Sequence, residues 1–422
     1  MGYSCRSIKI GKESPPSDRK HHTAIKQRRM AVVTVPMAPR KHRTRSLWRF
    51  LLPLLIVAVY LGGGCTQLRD SLGRWVDRTF GQATPREAYH WSRPFAEDVM
   101  ARWDTAYARA LRDTLYVTLP HREDFGGDTS LLSSAFALRF HLPAGRELVV
   151  QAADTLAPLP FGELYRVPPD RTEPHRIGSW DTLAGVFAYE TERPAGEELM
   201  LLVQRRPFDT SRFSTTLYTR PVIGFPVAGH DDGSIRSFWG AQRDGGRRSH
   251  EGNDIFAARG TPLLAVTDGR VSRVRNGGLG GKTVWLRDGN RRLSYYYAHL
   301  DSQLVRPGQY VNRGDTVGLV GNTGNARTTP PHLHFGIYAN GARDPFPYLR
   351  GVDEPAEAPR SLPGQRTTVP TRGAHYLRTS PSRDGAVIRQ LEGGEAIRDL
   401  ATTGVFHRIR TLRGETGYVN FD

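Results

Sequence analysis

Five side chains that can bind a divalent metal or move a proton lie in one part of the sequence. They are His250, Asp254, His299, His332 and His334. Neutral imidazole and carboxylate groups are ligands of Zn²⁺, and a hydrolytic zinc needs three protein ligands and one open position. A zinc hydrolase also needs groups that take up a proton and stabilise an oxyanion. Because five candidates exceed three ligands, the surplus favours a catalytic site over a closed structural one.

The run PPHLHFGIY at 330–338 indicates how two of these histidines share a task. In a β-strand, alternate side chains point to the same face, so His332 and His334 project together. An isolated HxH motif is more often a pair of surface histidines. Here the same unit also contains an HxxxD motif and a further histidine, and a chance origin of all three is much less frequent.

Short β-strands must position these residues. Between residues 221 and 350 the sequence is rich in glycine, and short apolar runs such as PLLAV, TVWLR and TVGLVG are separated by turns. No long helical pattern intervenes. We therefore predict an all-β unit over 221–350.

Three stretches of this unit carry a resemblance to a known family. They are SIRSFWGAQRDGGRRSHEGNDIFAARGTPLLAVTDGRV, YYYAHL and VNRGDTVGLVGNTGNARTTPPHLHFGIY, in that order. They resemble the lysostaphin-like, LytM-type zinc endopeptidases, which cut cell-wall peptides. The resemblance implies that Zn²⁺ is held by His250, Asp254 and His334. It implies that His299 and His332 are the catalytic pair, acting on the attacking water and on the developing oxyanion.

The whole chain is predicted to be mainly β and multidomain. Helical spacing and turn-separated strands define the expected units as a basic head with a signal segment (1–65), a short helical stem (66–113), a β-sandwich (114–220), the antiparallel-β LytM-type peptidase domain (221–350), a Pro-rich linker (351–370) and a small SH3-like barrel (371–422). Thr84 is the predicted N-cap of a helix in the stem, with Pro85 at its first position.

The tail resembles a bacterial SH3-like domain through LRTSPS, VIRQLEGGEAI and FHRIRTLRGETGYV. The resemblance implies a small barrel that binds wall peptide or glycan. The alternative is a barrel that packs on the catalytic unit as a scaffold.

The basic head runs into FLLPLLIVAVYLGGGC at 50–65, which has the pattern of a bacterial export signal. Cys65 follows three glycines and resembles a lipoprotein lipidation site, and the alternative is an uncleaved signal anchor. Either reading predicts an exported chain that is tethered to the membrane on the periplasmic side of the cell envelope. The only other cysteine is Cys5, so the exported body has no disulfide.

The charge distribution argues against a nucleic-acid partner. Of the formal net charge of +17, the first 49 residues carry +11, and only +6 remains for the rest of the chain. This modest balance suits an acidic polymer such as the cell wall, and no aromatic-basic RNA motif is present.

These observations predict a zinc metalloendopeptidase that hydrolyses peptide bonds in the stem peptides or cross-bridges of peptidoglycan. Two alternatives stay open. One is a catalytically silent LytM-type activator or scaffold of other wall hydrolases, and the other is a peptidase that acts on protein.

Overall fold

The structure is a computed structural model. It describes residues 83–92, 96–126, 135–153, 160–170, 173–179, 186–191, 193–353, 363–364 and 366–422. The predicted head, the signal segment with Cys65, the start of the stem and half of the linker lie outside these residues. Within the described ranges, the helices are too short or too polar to cross a membrane.

Two helices open the described part of the chain, α1 (Pro85–Ser92) and α2 (Glu97–Ala110). The predicted cap of α1 is confirmed. The backbone N–H of Glu87 donates to Thr84 Oγ1 at 3.2 Å, and the backbone N–H of Thr84 donates to Glu87 Oε2 at 2.8 Å. This reciprocal capping box satisfies two N–H groups that a helix start leaves unpaired. Helix α2 buries Trp103 completely, and its indole N–H donates to the Arg205 carbonyl at 2.7 Å.

Most of the remaining described chain is strands and turns, as predicted from the sequence. The first eight strands are β1 (His121–Phe125), β2 (Ala135–Leu142), β3 (Arg146–Ala153), β4 (Phe161–Arg166), β5 (His175–Ser179), β6 (Val186–Glu190), β7 (Glu197–Gln204) and β8 (Phe213–Pro221). The next are β9 (Ile235–Ser237), β10 (Gln242–Arg243), β11 (Arg248–Ser249), β12 (Asn253–Phe256), β13 (Pro262–Leu264), β14 (Gly269–Arg275), β15 (Thr283–Arg287), β16 (Ser294–Ala298), β17 (Ser302–Gln303), β18 (Tyr310–Val311), β19 (Thr316–Leu319), β20 (His332–Tyr338) and β21 (Ala342–Arg343). A short helix α3 (Phe346–Leu349) precedes β22 (His375–Arg378), β23 (Val387–Leu391), β24 (Ile397–Thr403), β25 (Phe406–Thr411) and β26 (Thr416–Asn420).

The strands that position the candidate site form an antiparallel sheet in the order β18-β14-β15-β16-β20-β12-β9, with β21 paired to β20. A three-stranded sheet, β13-β19-β17, packs beside it through a shared apolar core. Tyr295, Tyr297, Leu333, Phe335 and Ile337 are fully buried there. The alternate residues of β16 and β20 point away from this core, and they include His334.

The first and last strands of the described chain belong to one nine-stranded sheet. Its order is β23-β22-β26-β25-β24-β1-β8-β3-β6, so the tail joins the N-terminal strands through β24 and β1. Phe125 of β1 lies opposite Ala401 of β24. A four-stranded sheet, β2-β7-β4-β5, shares a hydrophobic core with this sheet. The tail is therefore continuous with the N-terminal β-structure through backbone pairing and a common core.

Both ends of the predicted linker are packed against strands. Arg146 of β3 is fully buried and donates to the carbonyls of Arg350 and Gly351 at 2.5 and 2.8 Å. At the other end, Val369 is 1% exposed in the core of the C-terminal strands.

A buried ion pair reinforces the junction of the tail with β1. Arg408 Nε lies 3.0 Å from Glu123 Oε1, and both side chains are inaccessible to solvent. The guanidinium also donates to the Ala137 carbonyl at 3.0 Å and to the Tyr418 hydroxyl at 2.8 Å. The Nε–H is not aligned as a hydrogen bond to Glu123, so the attraction is mainly between charges.

We expect Glu123→Gln to lower the free energy of unfolding by about 3–5 kcal/mol, because it leaves the Arg408 charge buried without a counter-charge. Denaturant unfolding followed by fluorescence measures the change. The control is Asp98→Asn, which breaks the exposed pair between Asp98 and Arg102 and should cost less than about 1 kcal/mol. Equal effects of the two substitutions would contradict this account of the junction.

Candidate metal centre and catalytic cleft

Two neighbouring strands bring the first pair of predicted metal ligands together. Asp254 of β12 lies directly opposite His334 of β20 in an antiparallel register. Opposed residues on adjacent strands project to the same face, so the carboxylate and the imidazole meet. His250 precedes β12 and completes the group from the end of the β10–β11 hairpin.

The three ligand atoms form a nearly equilateral triangle. The distances are 3.0 Å from His250 Nε2 to Asp254 Oδ1, 2.9 Å from His250 Nε2 to His334 Nδ1, and 2.9 Å from His334 Nδ1 to Asp254 Oδ1. Ligand atoms about 2.0–2.1 Å from a tetrahedral zinc lie roughly 3.3 Å apart. The triangle fits such an ion after outward shifts of a few tenths of an ångström.

Hydrogen bonding to the far side of His250 fixes its metal-facing atom. The Nδ1–H donates to the Phe238 carbonyl at 2.9 Å, which leaves Nε2 of the neutral ring with a lone pair. This lone pair faces the carboxylate oxygen of Asp254. The lone pairs of His250 Nε2 and Asp254 Oδ1, at 3.0 Å, repel each other unless a cation lies between the two atoms. The arrangement of these atoms therefore fits a bound metal ion.

The charges within the group favour the ligand forms of its residues. Burial raises the pKa of Asp254, but its close contacts with His250 and His334 outweigh burial and hold that pKa far below its usual range. Burial lowers the pKa of His334, which favours the neutral imidazole. Deprotonated carboxylate and neutral imidazole are the states that bind a metal.

The predicted catalytic histidines lie beside this group. The ring centroid of His299 is 5.1 Å from that of His332 and 5.9 Å from that of His334. His299 Nδ1–H donates to the Thr323 carbonyl at 2.8 Å, and His332 Nδ1–H donates to the Pro330 carbonyl at 2.9 Å. In each neutral ring, Nε2 therefore keeps a lone pair that can accept a proton.

The backbone of His299 is held in an uncommon conformation. Its φ of 66° lies in the left-handed region, which costs energy for a residue with a side chain. Its N–H donates to the Gly280 carbonyl at 2.8 Å, and its carbonyl accepts from the Thr323 N–H at 3.3 Å. Burial, together with the nearby His332, lowers the pKa of His299 to about 4. The surrounding loops therefore fix a neutral imidazole at this position.

The part of the chain that contains all five residues matches a described family. Residues 248–345 match the sequence profile of Peptidase family M23. These residues form a peptidase family M23 domain. The M23 domain spans β11 to β21, so it includes both strands that carry the ligand pair.

Named relatives match about a quarter to a third of the chain. An L-Ala–D-Glu endopeptidase of Bacillus subtilis is 40% identical over 139 residues, which are 30% of this chain and 42% of the relative. The peptidoglycan DD-endopeptidase ShyC of Vibrio cholerae is 38% identical over 94 residues, which are 22% of this chain and 21% of the relative. This chain thus spans less than half the length of either relative.

Among solved structures, the catalytic domain of lysostaphin from Staphylococcus simulans is 33% identical. It covers 27% of this chain and 90% of its own length, with a TM-score of 0.25.

The M23 domain holds the five residues in an open cleft of about 570 Å³. Aromatic side chains line it next to the candidate ligands. The Tyr296 ring lies edge-on to His334, with 5.9 Å between centroids, and Phe256 stacks on His332 at 5.0 Å. Leu279 and Gly280 border the cleft from the β14–β15 loop. A cleft of this form can admit an extended peptide.

Close packing around His334 depends on a glycine. A Cβ added at Gly252 would lie 2.6 Å from His334 Cε1 and 2.7 Å from the Phe335 carbonyl oxygen. Because this space is already filled, any side chain at position 252 would displace the ligand ring.

The structure adds Arg243 of the β10–β11 hairpin, which the sequence reasoning missed. One guanidinium nitrogen, Nη2, donates to Asp254 Oδ2 and to Ser237 Oγ, both at 2.7 Å. Because Oδ2 is occupied in this way, Oδ1 is directed toward the other ligands. No motif spacing marks Arg243, since it approaches Asp254 only through the fold of the hairpin.

We expect Arg243→Ala to weaken metal affinity by about tenfold or more, since groups that orient metal ligands contribute at this scale. Competition with a chromogenic chelator measures the affinity directly. Arg243→Lys keeps one charged donor group and should retain part of the metal affinity. The matched control is Arg236→Ala, which removes an exposed arginine from β9. Unchanged affinity in Arg243→Ala would show that the guanidinium does not orient Asp254.

Proposed function

We propose that this chain is a zinc metalloendopeptidase that hydrolyses peptide bonds of peptidoglycan. The observation that carries the proposal is the convergence of His250, Asp254 and His334 on one point, with two further histidines beside them. Three ligands with one carboxylate and no cysteine suit a catalytic zinc, which leaves a position open. When bound, Zn²⁺ acts as a Lewis acid that polarises the scissile carbonyl and makes water more acidic.

The two remaining histidines supply proton transfer. Both Nδ1–H groups donate to backbone carbonyls, so Nε2 of either His299 or His332 can accept the one proton that the attacking water loses. The resulting imidazolium can donate to the oxyanion or return the proton to the leaving amine. Burial and the nearby His332 lower the pKa of His299 to about 4, which keeps the His299 ring neutral and able to act as a base.

The names of the relatives support the substrate class. The two named above are an L-Ala–D-Glu endopeptidase and a peptidoglycan DD-endopeptidase. The modest positive balance of the chain after its basic head also suits an acidic wall polymer. A silent activator is not favoured, because such a role does not require five side chains in catalytic arrangement. A peptidase that acts on protein would release no new peptide termini from peptidoglycan, so the fragments released from sacculi distinguish it from the proposed enzyme.

The location of the activity follows from the head of the sequence. We infer that the chain is exported and tethered to the membrane, through Cys65 or an uncleaved anchor, on the basis of the basic flank and apolar core at 50–65. For the tail, the pairing of β24 with β1 favours a structural role within the N-terminal β-structure over a separate wall-binding module or a scaffold packed on the catalytic unit.

The protein should release new peptide termini from isolated sacculi, and chelator should abolish the release. His334→Ala should reduce it to background, because the substitution removes a metal ligand. Mass spectrometry of the fragments detects the termini and identifies the bond. The control is His230→Ala, which removes a histidine of the same unit that lies outside the cleft lining and whose Nδ1 is hydrogen-bonded to the Ala228 carbonyl. No release by folded, zinc-loaded protein would contradict the proposal.

The catalytic pair should be separable from the metal ligands. We expect His332→Ala and His299→Ala to lower kcat by about 10²–10⁴-fold, the usual contribution of general acid–base groups. Zinc content, measured by atomic emission, should stay near that of the unsubstituted protein. Loss of zinc in either variant would reassign that histidine as a ligand.

A further inference from the structure

A second cavity lies away from the candidate metal centre. Its volume is about 810 Å³, and it opens between the end of the eight-stranded sheet and the segment that joins β6 to β7. Ala339 lines it and lies five residues beyond His334 on the same stretch of chain. At about 3.3 Å per residue, the two positions are roughly 16 Å apart. The cavity is therefore distinct from the catalytic cleft.

Arginine dominates the lining of this cavity. Among the residues that the structure describes, the charged ones there are Arg193, Arg287, Arg291, Arg292, Arg343 and a single carboxylate, Glu190. Arg287, Arg292 and Arg343 have no carboxylate partner among the residues that the structure describes. Like charges around one concave space repel each other, and the low-dielectric walls strengthen their combined field.

Arg291, Glu190 and Asp288 pair within the protein and hold the β15–β16 turn in place without a ligand. Arg291 donates to both carboxylate oxygens of Glu190, at 2.6 and 2.9 Å, and so joins the β15–β16 turn to β6. Buried Asp288 accepts from the backbone N–H groups of Asn290 and Arg291 at 2.8 and 3.0 Å. Its other oxygen accepts from the Tyr295 hydroxyl at 3.1 Å. The turn that presents Arg292 is thus fixed in place before any ligand arrives.

We propose that this cavity binds a multiply charged, phosphate-bearing anion. Guanidinium groups match phosphate oxygens with pairs of parallel hydrogen bonds, and the planar fork stays charged at every physiological pH. Within the described lining, three arginines lack a carboxylate partner and the one carboxylate is already paired with Arg291, whereas a phosphate-bearing group with two or more charges matches these arginines. Because Arg193 comes from the β6–β7 segment and the other four from the sheet, a bound anion bridges both.

Pyrophosphate tests the proposal by isothermal titration calorimetry on the metal-free full chain, so that the probe cannot act by removing zinc. We expect one equivalent to bind, with affinity that falls as salt rises. The double variant Arg287→Gln/Arg343→Gln should weaken binding at least about tenfold, since it removes two unpaired cations and leaves the Arg291–Glu190 contact intact. The matched control, Arg273→Gln/Arg275→Gln, makes the same charge change on neighbouring β14 and should bind within about twofold of the parent.

A second arm distinguishes soluble phosphate from a lipid headgroup. Cosedimentation with phosphatidylglycerol vesicles that is lost in the Arg287/Arg343 variant and kept in the control would assign the phosphate to lipid. Calorimetric binding without such cosedimentation would assign a soluble ligand. If neither probe binds, or if both double variants lose binding equally, the cavity is not a phosphate site and the proposal is overturned.

Discussion

The antiparallel pairing of β12 with β20 is the constraint on which the site depends. Asp254 and His334 are directly opposed. A one-residue shift in the register of either strand would point one of these side chains into the core, and the three candidate ligands would no longer meet. The buried alternate residues of β20, Leu333 and Phe335, prevent such a slip, since they would then face solvent. The hydrophobic pattern of one strand thereby sets the geometry of a polar site on its other face.

Much of this site could be predicted from the sequence because the motifs that mark its residues are short and local. Strand alternation placed His332 and His334 on one face, and the family resemblance selected His250, Asp254 and His299. Arg243 could not be found in this way. It reaches Asp254 through a hairpin only two residues wide on each strand, and neither periodicity nor motif spacing marks it.

For the fold, too, local features could be predicted from the sequence and long-range contacts could not. The mainly β class and the capped helix at Thr84 followed from turn residues, strand patterns and capping chemistry. The pairing of β24 with β1 did not, because no local signal indicates which distant strand completes a sheet. The buried Arg408 was equally hidden, since an arginine in a strand of alternating polarity is ordinarily exposed.

The continuity of the nine-stranded sheet has a consequence for how the protein folds. Phe125 pairs with Ala401 across about 280 residues, a long-range contact of the kind that slows folding. Strand β1 can pair with β8 early, but nearly the whole polypeptide has to emerge before its second neighbour, β24, exists. For a chain that folds as it emerges from its amino end, the edge of β1 that β24 covers stays unpaired until that point. An unpaired edge is a template for pairing with another chain, so β24 also shields the protein from edge-to-edge aggregation.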